Sequence, residues 1–365
     1  MSAGPPEVLV LSDALTSSPG EVTDAPIAAG QWSPPQGRGG AYAALDLGTN
    51  NCRLLVARPT ADGFRVIDAF SRIVRLGEGL SLTGRLSAAA IARTLEALRV
   101  CRDKMSARGV TRARTIATEA CRAAANGADF VAEVRERLGI DLEIVDRETE
   151  AHLAAAGVGE LADRAARSIV MFDIGGGSSE IIWLRTDEQS RHGRRVQAWE
   201  SMRLGVVSLA EKFGGVDVDE ATFDAMKAHV AEAMAPFVDK VADETRCARF
   251  HLLGASGTVT TIAGVHLNLP RYDRRAVDGL WLGRAEVDEA VARLRAMSYA
   301  ERAANACIGR DRADLVLAGC AILEAIRAHF PAERLRIADR GLREGILSQM
   351  MREDAVGPHR RSRWR

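Results

Sequence analysis

Two stretches of the chain place an aspartate, glycines and small hydrogen-bond donors at one spacing. They are DLGTNNCRLL from Asp46 and DIGGGSSEII from Asp173, 127 positions apart. Each reads as a strand that ends in Asp-x-Gly, turns through small residues and returns as a second strand. Glycine lets a backbone approach a ligand closely and take φ > 0. Successive backbone N–H groups in such a turn form a concave anion site. The first turn offers Gly48, Thr49, Asn50 and Asn51, and the second Gly175, Gly176, Gly177, Ser178 and Ser179. Asp46 and Asp173 end their strands, where carboxylates can hold Mg²⁺, usually through water. Two such turns would clamp one phosphate chain from two sides. Either turn alone reads equally well as an ordinary hairpin; their pairing favours the clamp.

A third glycine-rich stretch, GASGTVTTIAG from Gly254, runs from a strand into a helix N-terminus. Such an N-terminus attracts anions. Gly254, Ser256, Gly257 and Thr258 are its candidate contacts, with helix capping by Ser256 or Thr258 as the alternative. Other motifs fail. There is no P-loop spacing and no HExxH. GVGELA at 157–162 has the dinucleotide-fold glycine spacing but follows the helical AHLAAA rather than a strand.

The elements that must position these residues come in two similar series. From Ala41 three β-rich runs follow one another, with a turn at TADG. Ser87 caps a helix running to Ala107, with Gly109 just past its end. RARTIATE and DLEIVD read as strands, Asn126 as the cap of a helix ending before Gly139, and a helix starts near Arg147. The second half begins again with three strands, at SIVMFDIGG, SSEIIWLR and RRVQAWESMRLG. Helices follow at 206–213 and 219–241, then the strand RFHLLGAS and the helix opened by GTVTTIAG. Further helices near 285–297 and 312–329, the strand RLRIAD and a last helix from Leu342 complete the chain. An internal duplication explains the repeat, and two facing α/β domains would put the matching turns on opposite walls of one cleft.

The 365 residues suit two domains. Lys plus Arg equals Asp plus Glu, at 49 each, so net charge gives no sign of a nucleic-acid partner. The six cysteines form no C-x-x-C pair and read as reduced, buried thiols of a cytoplasmic protein. No apolar run approaches membrane-spanning length. Residues 1–40 hold six of the eleven prolines and read as a disordered segment, and residues 351–365 as a basic tail.

The paired turns resemble the phosphate motifs of the acetate-kinase, sugar-kinase, chaperone and actin superfamily. Within it the chain resembles the exopolyphosphatase and guanosine pentaphosphate phosphohydrolase (Ppx/GppA) family. VRLGEGL at 74–80, ATEACRAAANGADF at 117–130, ETEAHL at 148–153, RLGVVSLAEKF at 203–213, RADLVLAGCAIL at 312–323 and DRGLREGIL at 339–347 support that branch. The resemblance runs from residue 42 to about 350. It implies two ribonuclease H-like, actin-like ATPase domains facing across a cleft. The first spans 41–124 and is completed by a C-terminal helix at 330–350; the second spans 125–329. It also implies Mg²⁺-dependent removal of a terminal phosphate from polyphosphate or guanosine pentaphosphate, and a homodimer.

By the same resemblance Glu119 matches a general base, and a carboxylate among phosphates should have a raised pKa, which suits that role. Glu148 and Glu150 match acidic catalytic positions, although Glu150 reads equally as a charge complementing a helix dipole. Asp46, Asp173 and Glu180 are the metal candidates. His152 stands where the family has Arg, and Asn51 where it commonly has Ser. Arginine forks match phosphate oxygens, which makes Arg53, Arg75 and Arg122 candidate chain-binding groups. Arg340 and Arg343 are explained as well by capping and packing as by a ligand. A superfamily kinase and a non-catalytic alarmone or polyphosphate sensor are the competing readings; an intact Glu119 and two intact turns count against the sensor.

Overall fold

The protein was analysed as a computed structural model that describes residues 40–61, 63–186, 194–245 and 250–356. The N-terminal segment expected to be disordered lies outside the described residues except for Gly40. So does the tail from residue 357.

Each half builds one mixed sheet. The first contains β1 (Ala41–Leu47), β2 (Asn51–Thr60), β3 (Gly63–Ile73), β4 (Val110–Ala117) and β5 (Glu143–Ile144), in the order β3-β2-β1-β4-β5. The second contains β6 (Ser168–Ile174), β7 (Ser179–Thr186), β8 (Arg194–Met202), β9 (Phe250–Ala255), β10 (Trp281–Gly283) and β11 (Arg334–Ala338), in the order β10-β11-β9-β6-β7-β8. Three antiparallel strands open each sheet, and the first of them then pairs in parallel with the next strand, β1 with β4 and β6 with β9. The duplicated frame is thus present in the topology. β1 and β6 are near-continuous apolar runs because both are central strands, covered on both faces.

The helix Ala88–Ala107 starts where expected, with Ser87 Oγ accepting from the Ala90 amide at 3.2 Å. Asn126 differs. Its side chain makes no cap bond to the helix Gly127–Leu138 and pairs with the Leu86 backbone, at 2.8 and 3.0 Å. The strand expected over DLEIVD shortens to Glu143–Ile144. Pieces not anticipated include β10 and the short helices Leu80–Thr83, Glu119–Ala123, Arg274–Val277 and Tyr299–Ala304.

Helices 88–107 and 127–138 cover one face of the first sheet, burying Leu98, Met105, Phe130 and Val134 against Leu45 and Leu54. The helix Leu342–Val356 covers the other through Ile346, Leu347 and Met350. It runs past residue 350, where a tail was expected, because Arg112 pairs with Glu353 (2.6 Å) and Asp354, and the Tyr42 hydroxyl donates to Asp354 at 2.6 Å. The block 330–350 does not lie together: β11 pairs in the second sheet, and only the helix after it reaches the first. Helices 220–245, 257–266 and 316–329 pack one face of the second sheet, and helix Arg147–Val158 the other.

Helices 147–158 and 342–356 cross backbone to backbone. A β-carbon on Gly157 would stand 1.8 Å from the Gly341 carbonyl oxygen, and one on Gly345 would stand 1.9 Å from that of Leu153. Glycine is needed there for approach rather than for φ. All five described cysteines are buried and free; Cys247 lies outside the described residues.

Candidate active site

The two predicted turns are superimposable in their local bonding. Gly48 donates to the Asn51 carbonyl at 2.9 Å, and Gly175 donates to that of Ser178 at 2.9 Å. The register then sets Asp46 opposite Arg53 in one hairpin and Asp173 opposite Glu180 in the other. The duplication keeps the aspartate and inverts the charge across from it.

The turns, expected on opposite walls of one cleft, touch. A β-carbon on Gly177 would lie 2.5 Å from Thr49 Oγ1, and one on Gly176 would lie 3.1 Å from the Asn50 amide nitrogen. The expectation that these glycines supply φ > 0 is corrected: none of Gly48, Gly175, Gly176 and Gly177 adopts it. They are small because two backbones meet.

Flanking segments hold the turns. Thr49 and Asn50 carbonyls accept from Gly77, Val74 and Arg75 amides at 2.9–3.0 Å. The Gly175 and Gly176 carbonyls accept from Val206 and Val207, at 3.0 and 2.8 Å, at the start of helix 206–213. The Asn50 and Asn51 side-chain oxygens and the Ser179 hydroxyl are buried without a partner, acceptor and donor capacity of the kind a ligand completes.

Four carboxylates gather at this junction. Burial, and then the charges of Glu150 and Asp46, push Asp173 up to about 7 against the opposing pull of Arg53. Asp46 is raised by burial. Glu180 is raised by burial and by Asp173, against hydrogen bonds from Ser201 (2.8 Å) and Ser178. Glu150 is raised by burial and then by Glu180. Such a set of buried, mutually repelling oxygens suits a hard cation. Among the described residues no three side chains already form a closed metal-binding group, and Mg²⁺ needs only one or two carboxylates with the rest water. The residues therefore fit Mg²⁺.

Glu119, separated from the end of β4 by Thr118 alone, is the first residue of the short helix Glu119–Ala123 and is only 5% exposed. Arg122 reaches its Oε2 with Nε at 3.0 Å and Nη2 at 2.7 Å. Arg147 Nη2 reaches both oxygens at 2.9 Å. Oε2 is thus heavily used, while Oε1 takes one N–H and keeps acceptor capacity for a water.

Other expected groups fall differently. Arg122, expected on the ligand, is committed to Glu119, Glu150 (3.1 Å) and the Val145 carbonyl (2.6 Å). Arg75 forks onto Asp314 at 3.0 and 3.1 Å, tying the first half to the second from a backbone at φ 47. Glu148 is exposed, away from the cluster. Gly254 is small because a β-carbon would strike Phe172 at 2.7 Å, and Thr258 packs on Gly319, where a β-carbon would lie 2.3 Å from its hydroxyl. Ser256 caps the helix Gly257–His266, accepting from Val259 at 3.2 Å.

Arg53, Arg312 and Arg343 are partly buried, and their guanidiniums make no hydrogen bond or ion pair with a described residue, a property they share with exposed arginines such as Arg85 and Arg203. Arg53 lies beside Asp46 and Asp173, and its charge also bears on the other two. Arg312 Nη1 would sit 3.6 Å from a β-carbon on Gly257, at the third glycine-rich stretch. Burial and then Arg53 lower the basicity of Arg312. Arg312, in RADLVLAG, has no expected ligand role, and Arg343, in GLREG, reads from sequence equally as a packing or a ligand group. Their lack of a direct ion pair is visible only in three dimensions.

A sequence model of the Ppx/GppA phosphatase family matches residues 55–354. Among solved structures, an exopolyphosphatase-like protein is 27% identical, with TM-score 0.78 over 87% of this chain and 99% of its own. The Aquifex aeolicus PPX-GPPA enzyme is 26% identical, with TM-score 0.70 over 85% and 99%. An exopolyphosphatase from Cytophaga hutchinsonii, 23% identical, shares the fold with TM-score 0.78 over 86% and 98%. With two turns meeting at a knot of carboxylates in this two-domain fold of the actin-like ATPase type, the chain belongs to the Ppx/GppA phosphatase family.

Proposed function

We propose that this phosphatase removes the terminal phosphate from inorganic polyphosphate, with water held by Glu119. The observation that carries the reading is the contact of the two turns beside three partly buried arginines that form no direct ion pair. A linear polyanion supplies repeated charge to such a set, and guanidinium forks match its oxygens. The turns offer amides and hydroxyls to the terminal group. Glu119 Oε1 has room to accept from a water, orienting it for attack. Glu150 sits behind Arg122 and fixes that arginine rather than meeting the ligand. Mg²⁺ would be held largely through water by carboxylates of the set Asp46, Asp173 and Glu180, and would neutralise charge on the phosphate oxygens.

Free buried thiols support a reducing, cytoplasmic setting. The homodimer rests on the resemblance alone, as does a first domain at 41–124 completed by the last helix. Among the described residues no helix is long and apolar enough to cross a membrane.

The test is phosphate release, with Mg²⁺, from long polyphosphate, short polyphosphate, guanosine pentaphosphate and ATP, run beside Glu119→Gln. Release from polyphosphate, lost about a hundredfold in the variant, supports the reading. Preference for guanosine pentaphosphate would replace the substrate and keep the site. Tight binding with no release from any of them would make the protein a sensor.

A further inference from the structure

Arg147 is badly placed for the stability of its own helix. It is the first residue of helix Arg147–Val158, whose cap is Asp146 accepting from Thr149 at 2.7 Å. A cation in the first turn opposes the helix dipole. Its Nε is also buried without a partner, which adds a desolvation cost. Both penalties bring one guanidinium to Glu119, 28 residues back in the chain, where Nη2 meets both carboxylate oxygens at 2.9 Å. Violations of local rules gather where function requires them.

The neighbouring candidate does not supply this contact. His152, on the same helix, is exposed, and its Nδ1 lies 2.8 Å from the Glu148 carbonyl. Arg122 approaches Glu119 only at Oε2. Arg147 is therefore the one described cation that touches Oε1, the oxygen left with room for a water. With Arg122 on one oxygen and Arg147 across both, the carboxylate plane is fixed against rotation about its terminal torsion, which is otherwise broad.

We propose that Arg147 is a positioning residue for Glu119 in the hydrolysis, an inference that rests on the function proposed above. It does not touch the substrate; it sets where Oε1 holds the water. Loss of the guanidinium frees the carboxylate plane, and a displacement of the water of about 1 Å costs on the order of a hundredfold in rate.

The experiment is a double-mutant cycle on the full chain, reading kcat and KM for the polymer that the wild type hydrolyses. Arg147→Ala should lower kcat about a hundredfold with KM within about threefold, the pattern of an interaction that matters in the transition state. Arg147→Lys should recover only part, since a point charge lacks the fork. Glu119→Gln/Arg147→Ala should be no slower than Glu119→Gln alone, because one residue acts through the other. Added methylguanidinium should restore turnover to Arg147→Ala, an effect that a merely structural role would not give.

The inference is overturned if Arg147→Ala keeps kcat within about twofold, or if the double variant falls multiplicatively below Glu119→Gln. If Arg147→Ala fails to fold, a fully active Arg147→Lys overturns it. Wild-type protein that releases no phosphate from any substrate fails the functional reading itself and takes the inference with it. A wild type that turns over beside an indifferent Arg147→Ala leaves the reading standing and removes only the inference.

Discussion

Gly177 stands so close to Thr49 that a β-carbon would lie 2.5 Å from the threonine hydroxyl. The two Asp-x-Gly turns, one from each half, are therefore spaced by the absence of a side chain. Gly177→Ala should push them apart and lower phosphate release at least tenfold. Thr49→Ala in the same background should relieve the clash and restore the melting temperature. Release rates equal to wild type in Gly177→Ala would show that the contact is not part of the working site.

The raised acids make stability pH-dependent in a definite sense. Asp173 in the folded chain titrates near 7, against about 3.9 when unfolded. Its folded pKa is raised, so the folded state binds the proton more tightly over that window. Stability is full below about pH 4 for this group and is lost as pH rises through about 7, by up to roughly 4 kcal/mol. Without divalent metal the melting temperature should fall between pH 5.5 and 8. Mg²⁺ should restore it at pH 8 and do little at pH 5.5. A flat profile, or equal Mg²⁺ stabilisation at both pH values, would contradict this electrostatic account.

Arg312 and Arg343 form no direct ion pair and lie with Arg53 at the junction. A charge-assisted hydrogen bond contributes roughly 1.5–3 kcal/mol. Replacing Arg312 or Arg343 by Ala should raise KM for polyphosphate about tenfold or more with little change in kcat. The salt dependence of KM should weaken in step. Unchanged KM in both variants would place the polymer elsewhere.

Gly345 lets the last helix touch helix 147–158, with only 1.9 Å from its would-be β-carbon to the Leu153 carbonyl oxygen. The neighbour is backbone and cannot rotate away. Gly345→Ala should destabilise by about 3 kcal/mol, read as a lower urea midpoint. Glu119 and Arg147 lie on elements joined to this crossing, so activity should fall with it. An unchanged midpoint would mean the helices slide freely.

Arg75 forks onto Asp314 across the two halves, while the Gly79 amide donates to Glu211 at 2.9 Å and Ser81 bonds to the same carboxylate. Arg75→Ala together with Glu211→Ala should loosen the closed arrangement. Small-angle scattering of the double variant should show a larger radius of gyration, recovered on adding substrate. Identical scattering would show that the sheets are held together by the helix crossing alone.

The sequence by itself determined the repeated frame. Two Asp-x-Gly hairpins, three opening strands in each half and the Ser87-capped helix were legible because turn chemistry and apolar periodicity are local signals. It also singled out Glu119, Asp46, Asp173, Glu150 and Glu180, which lie near one another, and Glu148, which is exposed. What it did not determine was which charges meet. Arg122 read as a ligand group and is spent on two glutamates. Arg147 read as an ordinary helix start and meets Glu119, 28 residues away. Gly254 read as an anion contact and makes room for Phe172. Arg312 gave no signal and Arg343 read equally as a cap or a ligand group, since lacking a partner is a property of the surroundings. Those outcomes depend on the parallel register of β1 with β4 and β6 with β9, and on a glycine-lined helix crossing. They bring distant positions within hydrogen-bond reach, and no local spacing encodes such distances.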